Sequence, residues 1–258
     1  MIEDITNFGS LGEIKIMKVW WGMMVRFEVI SIDMFQTLVD VHSRRNYIWK
    51  RILKKDYSEE LAQEYSTLMG EFIYRRFHQD VILAEEFSNL KSIFREYYKE
   101  VFIKTGLKFS PQKAVEIWAS EHSLATPYSD TNDFFNCIGK VIPICLVSDA
   151  DIDMISSHVE NFNFGQVFIS EKVKAYKNQS NGKVFKEVIE YYNVKPERIL
   201  HIGDTLSDIM GANRVGIKTC WINRNEDKWK YDIKPTYIIN SLRDIAGILG
   251  LEKQNQVM

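Results

Sequence analysis

The chain reads as an α/β protein: a doubly wound, parallel, Rossmann-like sheet with an α-helical domain inserted after its first strand. Three observations give that reading. From about residue 127 onward, short apolar runs alternate with stretches of helical spacing, the order that builds a parallel sheet through right-handed crossovers. One apolar run, Phe27 to Ile32, stands apart from these, and the roughly eighty residues after it carry helical periodicity only. Three of the runs end abruptly in polar residues, at Asp33, Ser148 and Asp204. In an open α/β sheet ligands bind beyond the carboxyl ends of the strands, so these positions are placed for chemistry.

The bulk properties narrow the class. The 258 residues suffice for a core with a second, smaller module, and 45% hydrophobic with 26% charged residues is ordinary globular composition. A net charge of -2 leaves no basic footprint, which speaks against nucleic acid or an anionic membrane as partner and for a small-molecule substrate; oligomeric state is unreadable. Cys137, Cys145 and Cys220 form no CxxC pair and read as free thiols in a reducing cytoplasm. Residues 1–24 show no clear period and read as an N-terminal extension, with Met23 or Met24 as alternative natural starts. The apolar patch at 19–25 is too short to span a bilayer and lacks the layout of a signal peptide, so the expected location is cytoplasmic.

The expected layout is a core of residues 25–41 and 127–258 around a helical insertion at 42–126. Within the insertion, Ser43 is the candidate N-cap of a helix over 44–54, and Ser58 opens an amphipathic run carrying Leu61, Tyr65, Leu68, Met69 and Phe72. A third helix is expected over 84–104 with Gly106 as terminator, and Ser110-Pro111 caps a fourth over 112–121. In the core, a helix at 129–138 precedes a buried strand over 140–147. Helices at 151–159, 183–192 and 206–215 then alternate with extended runs at 167–169, 198–202 and 218–222, and 235–249 completes the set. Beyond the last of the three polar strand ends, Gly203-Asp204-Thr205-Leu206-Ser207-Asp208 sets two carboxylates four residues apart across a strand-to-helix turn; either alone reads as a helix cap.

Asp33-x-x-x-Thr37-Leu38, the strand-terminal Ser148, Lys177 in an Ala-Tyr-Lys context, and Gly203-Asp204-x-x-x-Asp208 occur in that order across residues 27 to about 245. This series resembles the haloacid dehalogenase-like (HAD) hydrolase superfamily, whose doubly wound core carries a helical cap after the first motif. The resemblance implies a hydrolase with Asp33 as nucleophile, forming a covalent aspartyl intermediate. It implies Ser148 as a hydroxyl donor to the transferring group and Lys177 as the cation neutralising it. Thr37 would support the loop or add a hydroxyl contact. Asp33, Asp204 and the backbone carbonyl of Phe35 would hold Mg²⁺, a hard cation that prefers oxygen. Asp208 would lie at the metal's outer edge or hold Lys177. Three carboxylates facing one lysine leave an excess of negative charge, which a divalent cation offsets.

Two departures qualify what the resemblance implies. Family phosphatases place a second Asp two residues after the nucleophile as general acid and base; here that position is Phe35, and a phenyl ring transfers no proton. The leading expectation is a Mg²⁺-dependent phosphatase of a small phosphorylated metabolite that uses water, a residue of the insertion, or a good leaving group. The alternatives are a 2-haloacid dehalogenase, whose first motif is similar and for which Arg44 or Arg45 would bind the substrate carboxylate, and a non-catalytic binding protein. A phosphonate hydrolase using Lys50, Lys54 or Lys55 as a Schiff base is a further option. The second departure is Asn178 after Lys177, where proline is common, with a longer loop over 178–182 that leaves Lys174 as runner-up. The five histidines show no zinc-ligand spacing.

Overall fold

The computed structural model describes residues 26–77, 80–81, 83–179 and 181–251; the extension over 1–24 lies outside them. Six parallel strands form the main sheet: β1 (Val29–Ile32), β4 (Ile144–Ser148), β5 (Gln166–Ile169), β6 (Ile199–Gly203), β7 (Lys218–Ile222) and β8 (Tyr237–Ile239). Their order is β5-β4-β1-β6-β7-β8, so the direction of winding reverses between β1 and β6. A crevice opens at such a reversal, beyond the strand ends. In the register Ile30 pairs with Ile144 on one side, and Ser31 pairs with His201 on the other.

Every β1, β4 and β6 residue is buried, as expected for a parallel sheet covered on both faces. Val29, Cys145, Val147 and Ile199 point to one face, against Val184, Phe185 and Val188 of α8 (Lys183–Tyr192) and Ala212 of α9 (Leu206–Arg214). Ile30, Ile32, Leu146, Leu200 and Ile202 point to the other, into a core that runs on into the helical insertion. The short α7 (Ser170–Val173) follows β5 and ends at Lys174 in a left-handed conformation.

The insertion contributes α1 (Arg45–Leu53), α2 (Glu59–Phe77), α3 (Leu90–Thr105) and α4 (Pro111–Ser123). Its two ends are joined by an antiparallel pair, β2 (Val39–Asp40) with β3 (Thr126–Pro127), too short to show as strands in the sequence. In α4 the cap is as expected: Ser110 accepts the Lys113 N–H and Pro111 takes the first position. Two other starts differ from expectation. Ser43 does not cap α1; it sits in a 3₁₀ turn, His42–Arg44, its hydroxyl donating to the Asp40 carbonyl at 2.8 Å. α3 begins at Leu90 rather than 84, because Asn89 supplies the side-chain cap and the core's Asp151 accepts the Leu90 and Lys91 N–H groups at 3.0 and 2.8 Å. That carboxylate satisfies orphan amides and faces the positive end of the helix, so it fixes the α3 N-terminus to the core.

Further links cross between the parts. α4 packs on the core helix α6 (Ile152–Asn161), where the His158 ring donates from Nε2 to the His122 carbonyl at 2.9 Å. Tyr176 stacks on Phe87 and donates its hydroxyl to the Ser88 carbonyl at 2.6 Å. α5 (Thr131–Ile138) leads from β3 toward β4, which begins at Ile144, four residues after the apolar run expected from 140, because 139–142 close the helix by bonds to Ile138 and Phe135. Cys145 and Cys220 are buried free thiols, and Cys137 is exposed. Among the described residues no helix is long and apolar enough to cross a membrane.

One close approach is decisive for the site. Gly211 of α9 lies against the backbone of Lys177, and a Cβ there would collide with the Lys177 carbonyl. Gly211→Ala must therefore push α9 away from the loop that carries Lys177, a strained replacement of the kind that costs about 1–3 kcal/mol. We expect a drop in Tm of several degrees together with lost activity; unchanged Tm and activity would contradict the stated contact.

Candidate active site

The turn after β1 places Asp33 at the crevice, and the Asp33 N–H donates to the Ile202 carbonyl of β6 at 2.9 Å. Asp33 Oδ1 accepts from Ser148 Oγ at 2.9 Å and from Lys177 Nζ at 2.8 Å. The Lys177 ammonium also donates to Asp208 Oδ1 at 2.5 Å. Four of the residues singled out from the sequence, two at strand ends, one on a loop and one in the first turn of α9, thus meet through one ammonium and one hydroxyl. Asp33 Oδ2 takes no hydrogen bond among the described residues. Asp204 joins them: single carboxylate oxygens of Asp33, Asp204 and Asp208 lie within 4.8 Å of one another.

Asp208 does two things that the sequence posed as alternatives. Its Oδ2 accepts the N–H and the hydroxyl of Thr205 at 3.0 and 2.6 Å, making a capping box with Thr205 at the start of α9. Its Oδ1 holds Lys177 and also accepts from His201 Nε2 at 3.0 Å. The cap therefore orients the carboxylate that orients the lysine. Gly203 permits this, since a side chain there would occupy the space of the Asp208 carboxyl.

His201 is the residue the sequence reading missed. Its Nδ1 meets Ser31 Oγ at 2.9 Å, so Ser31, His201 and Asp208 form a hydrogen-bonded chain beneath the site. All three are fully buried, which denies substrate any access and leaves the chain a supporting role. The available signal was a polar residue in the middle of each of two apolar strand runs, three or fewer positions before a site carboxylate or glycine.

Electrostatics follow from burial and crowding. Burial pushes the Asp33 carboxyl above its ordinary range; Lys177 opposes that rise and Asp208 adds to it. Asp204 is pushed well above by burial, then by Asp33 and Asp208. Asp208 moves the other way, because Lys177 and the His201 hydrogen bond outweigh its burial. Lys177 is held firmly charged: burial opposes this, but Asp208, Asp33 and Asp149 together outweigh it. Asp149, whose carboxylate accepts the Lys177 backbone N–H at 2.9 Å, is raised by burial to about 6.

The donor set fits a hard divalent cation. It is all oxygen, two of its three carboxylates are buried, and one ammonium faces four acids counting Asp149. The Phe35 ring, half-buried, meets the His122 ring edge-on at 5.1 Å between centroids. Thr37 is fully buried; its carbonyl accepts Arg224 Nη2 at 2.7 Å, and its hydroxyl has no partner. Arg224 also forms a two-pronged bond with Asp130 at 3.1 Å and lies over the Tyr128 ring.

Other candidates are not brought to the cluster. Lys174, the runner-up, is exposed and lies over the Phe87 ring. Arg44 is committed to the buried Glu121, which Arg51 also holds, whereas Arg45 borders a cavity with His42 and His122. Lys50, Lys54 and Lys55 are exposed on the insertion, with Lys50 over the Tyr47 and Tyr57 rings, and none lines that cavity or the site.

This arrangement, a strand-end carboxylate held by a lysine and a serine beside two further carboxylates, is that of a hydrolase site. The family profile of haloacid dehalogenase-like hydrolases matches residues 27–216, and the chain belongs to that family. Pyrimidine 5'-nucleotidase YjjG of Escherichia coli is 35% identical over 88 residues, which is 33% of this chain and 38% of that protein's length. Pyrimidine 5'-nucleotidase PynA of Streptococcus pneumoniae is 23% identical over 86% of this chain and 95% of its own. Among solved structures, the putative HAD-hydrolase YfnB of Bacillus subtilis, bound to magnesium, superposes with a TM-score of 0.73 at 18% identity, covering 87% of this chain and 99% of that one. An L-2-haloacid dehalogenase of Xanthobacter autotrophicus superposes at 0.70 with 17% identity, covering 88% and 100%. At such identities the superpositions show a shared fold.

The raised carboxyls carry a pH signature. A group whose folded pKa exceeds its unfolded value stabilises fully below the unfolded value and loses that contribution as pH rises through the folded one. For Asp149 the window runs from the ordinary 3.8 to about 6, and Asp33 and Asp204 act in the same direction. Asp208 contributes oppositely, but only below the ordinary carboxylate range. Burial lowers His42 and His122, with His122 held at about 4, and these act oppositely over the same range. The Tm of EDTA-treated wild type relative to Asp149→Asn is therefore the quantity expected to fall between about pH 4 and pH 6; a rise of that difference over the interval would contradict the Asp149 shift.

Proposed function

We propose that this chain is a Mg²⁺-dependent phosphatase acting on a small phosphorylated metabolite through an aspartyl-phosphate at Asp33. The observation that carries the reading is the cluster of Asp33, Asp204 and Asp208 around Lys177. Asp33, with Oδ1 oriented by Ser148 and Lys177, attacks phosphorus through Oδ2, and the bond to the leaving oxygen breaks. Lys177 and the Ser148 hydroxyl then face the phosphoryl oxygens, where preformed charge and donors stabilise the transition state. The Thr37 hydroxyl, buried and unpartnered, is a further donor in the same loop. Water attacks the aspartyl-phosphate at phosphorus and releases Asp33 as the carboxylate. Asp33, Asp204 and the Phe35 carbonyl would hold Mg²⁺, whose charge would let Asp33 stay ionised among its acidic neighbours. Asp208 positions Lys177.

In this reading residues 42–126 act as a cap that selects the substrate. The cavity beside Phe35, about 420 Å³, is lined by Arg45, Trp49, Phe94, Tyr98, Trp118 and His122 among others. Its volume falls within the usual range of small-molecule sites. The names of YjjG and PynA support phosphate-ester hydrolysis over carbon–halogen hydrolysis. A second reading, carbon–halogen hydrolysis, draws on Phe35 and on the dehalogenase fold likeness. The third carboxylate and the engagement of Arg44 by Glu121 weigh against it.

A panel of phosphate esters, acyl phosphates and 2-haloacids, run with Mg²⁺ and with EDTA, tests the reading. Phosphate release that requires Mg²⁺ and falls by more than about 10³ in Asp33→Asn is expected, since an amide is no nucleophile. Halide release that survives EDTA, or full activity in Asp33→Asn, would overturn it.

A further inference from the structure

Phe35 stands where a carboxylic acid would protonate a leaving alcohol, so the groups that border the leaving side decide which substrates turn over. Next to Phe35, Gln36 adopts φ of 59°, a left-handed conformation that side chains other than glycine and asparagine rarely take. Its side chain accounts for the strain. Gln36 Oε1 accepts the backbone N–H of Val41 at 2.8 Å and of His42 at 3.1 Å. Those two donors fix the amide's orientation, so it is Nε2 that donates to His42 Nδ1, at 2.9 Å. The imidazole therefore accepts at Nδ1 and carries its proton on Nε2.

His42 occupies a junction. It is the one described residue that lines both the small pocket of about 80 Å³ beside Asp204, Trp221 and Arg224 and the larger cavity of about 420 Å³ within the insertion. A substrate that reaches from the pocket beside Asp204 into that cavity passes His42. Among the described residues, the carboxyl groups lining the two spaces are Asp204, already within the acidic cluster, and Asp227, both in the smaller one. His122 donates from Nδ1 to the Trp118 carbonyl at 2.8 Å, and burial holds its pKa down to about 4, so its Nε2 is an acceptor at neutral pH. Burial, with the charge of Arg45, also lowers His42. Among the described residues no carboxyl group lines the larger cavity, into which a leaving group would extend.

We propose that His42, clamped by Gln36, donates a neutral Nε2–H hydrogen bond to the departing oxygen, and that this chain therefore favours phosphates whose leaving groups depart as stabilised anions, acyl, enol and aryl phosphates, over alkyl phosphomonoesters. This rests on the phosphatase reading. In the first step the Asp33 O–P bond forms as the P–O bond to the leaving group breaks. The electron pair stays on the leaving oxygen, which departs as a carboxylate, enolate or phenolate and takes any proton from solvent. His42 begins and ends neutral. In the second step water adds to phosphorus, its proton stays with the phosphate or passes to solvent, and Asp33 is released. Gln36 is a positioning residue: its strained backbone is what brings one amide within reach of three partners around His42.

The test is a series of aryl phosphates with phenols of graded acidity, plus acetyl phosphate and one alkyl phosphate, assayed with Mg²⁺ in the wild type, His42→Ala, His42→Gln and Gln36→Gly. In the wild type kcat/KM should fall steeply with leaving-group basicity, a readout that needs no variant. A hydrogen bond to a charged oxygen predicts that His42→Ala lowers kcat roughly tenfold to a hundredfold for the least acidic phenols and much less for the most acidic. His42→Gln, whose amide N–H reaches near the same point, should recover part of that loss. Gln36→Gly should reproduce part of it without lowering Tm. A flat dependence on leaving-group acidity in the wild type would overturn the proposal while leaving the phosphatase reading in place. So would a loss in His42→Ala that is uniform across the series, or absent, with Tm preserved. Silence of the wild type toward every phosphate would overturn the phosphatase reading, and this proposal with it.

Discussion

The Lys177 ammonium, fixed between Asp33 and Asp208, is the interaction on which the site depends. A buried ammonium is unfavourable unless paired, and a buried carboxylate likewise; here each makes the other tolerable. The pairing is asymmetric. Asp208 is ionised at the expense of its neighbours, because His201 and Thr205 add three more hydrogen bonds to its two oxygens. Asp33 receives fewer donors, Ser148 and Lys177, both on Oδ1, and remains only partly compensated. The scaffold keeps these distances through the reversal between β1 and β6, the Gly203 turn and the close approach of Gly211 to the lysine backbone.

The insertion is tied to this arrangement by polar bonds at defined points. Asp151, three residues beyond Ser148, caps α3; Tyr176, adjacent to Lys177, bonds Ser88; and His158 bonds the carbonyl of His122, whose ring meets Phe35. Each contact starts within a few residues of a site residue or ends on one that touches the nucleophile loop. The insertion's aromatic cavity is thereby tied to Asp33 through short, hydrogen-bonded paths.

The fold was legible in the sequence because buried parallel strands write themselves as apolar runs, and because Asp33, Ser148 and Asp204 each close such a run. Lys177 was readable only as one of two lysines; the left-handed turn at Lys174 and the bond from Asp149 to the Lys177 amide decide between them, and neither leaves a periodic trace. The β2–β3 pair is two residues long on each side, below what alternation can reveal. The start of α3 was misjudged because its cap comes partly from Asp151, some sixty positions away in the chain. The roles of His201, which shows in the sequence only as a polar break in an apolar run, and of Gln36 could not be read for a related reason. Their importance lies in the partners they hold, Asp208 and His42, and a side chain's partner is not written in its own neighbourhood.

All of this turns on Asp33 forming a bond to phosphorus. Borohydride added during steady turnover of a phosphate substrate reduces an aspartyl-phosphate and converts that aspartate to homoserine, which peptide mass spectrometry locates. The account predicts homoserine at position 33 in the wild-type protein, dependent on substrate and on Mg²⁺, and at no other carboxylate of the cluster. Turnover without such a product, or trapping at Asp204 or Asp208 instead, would contradict it.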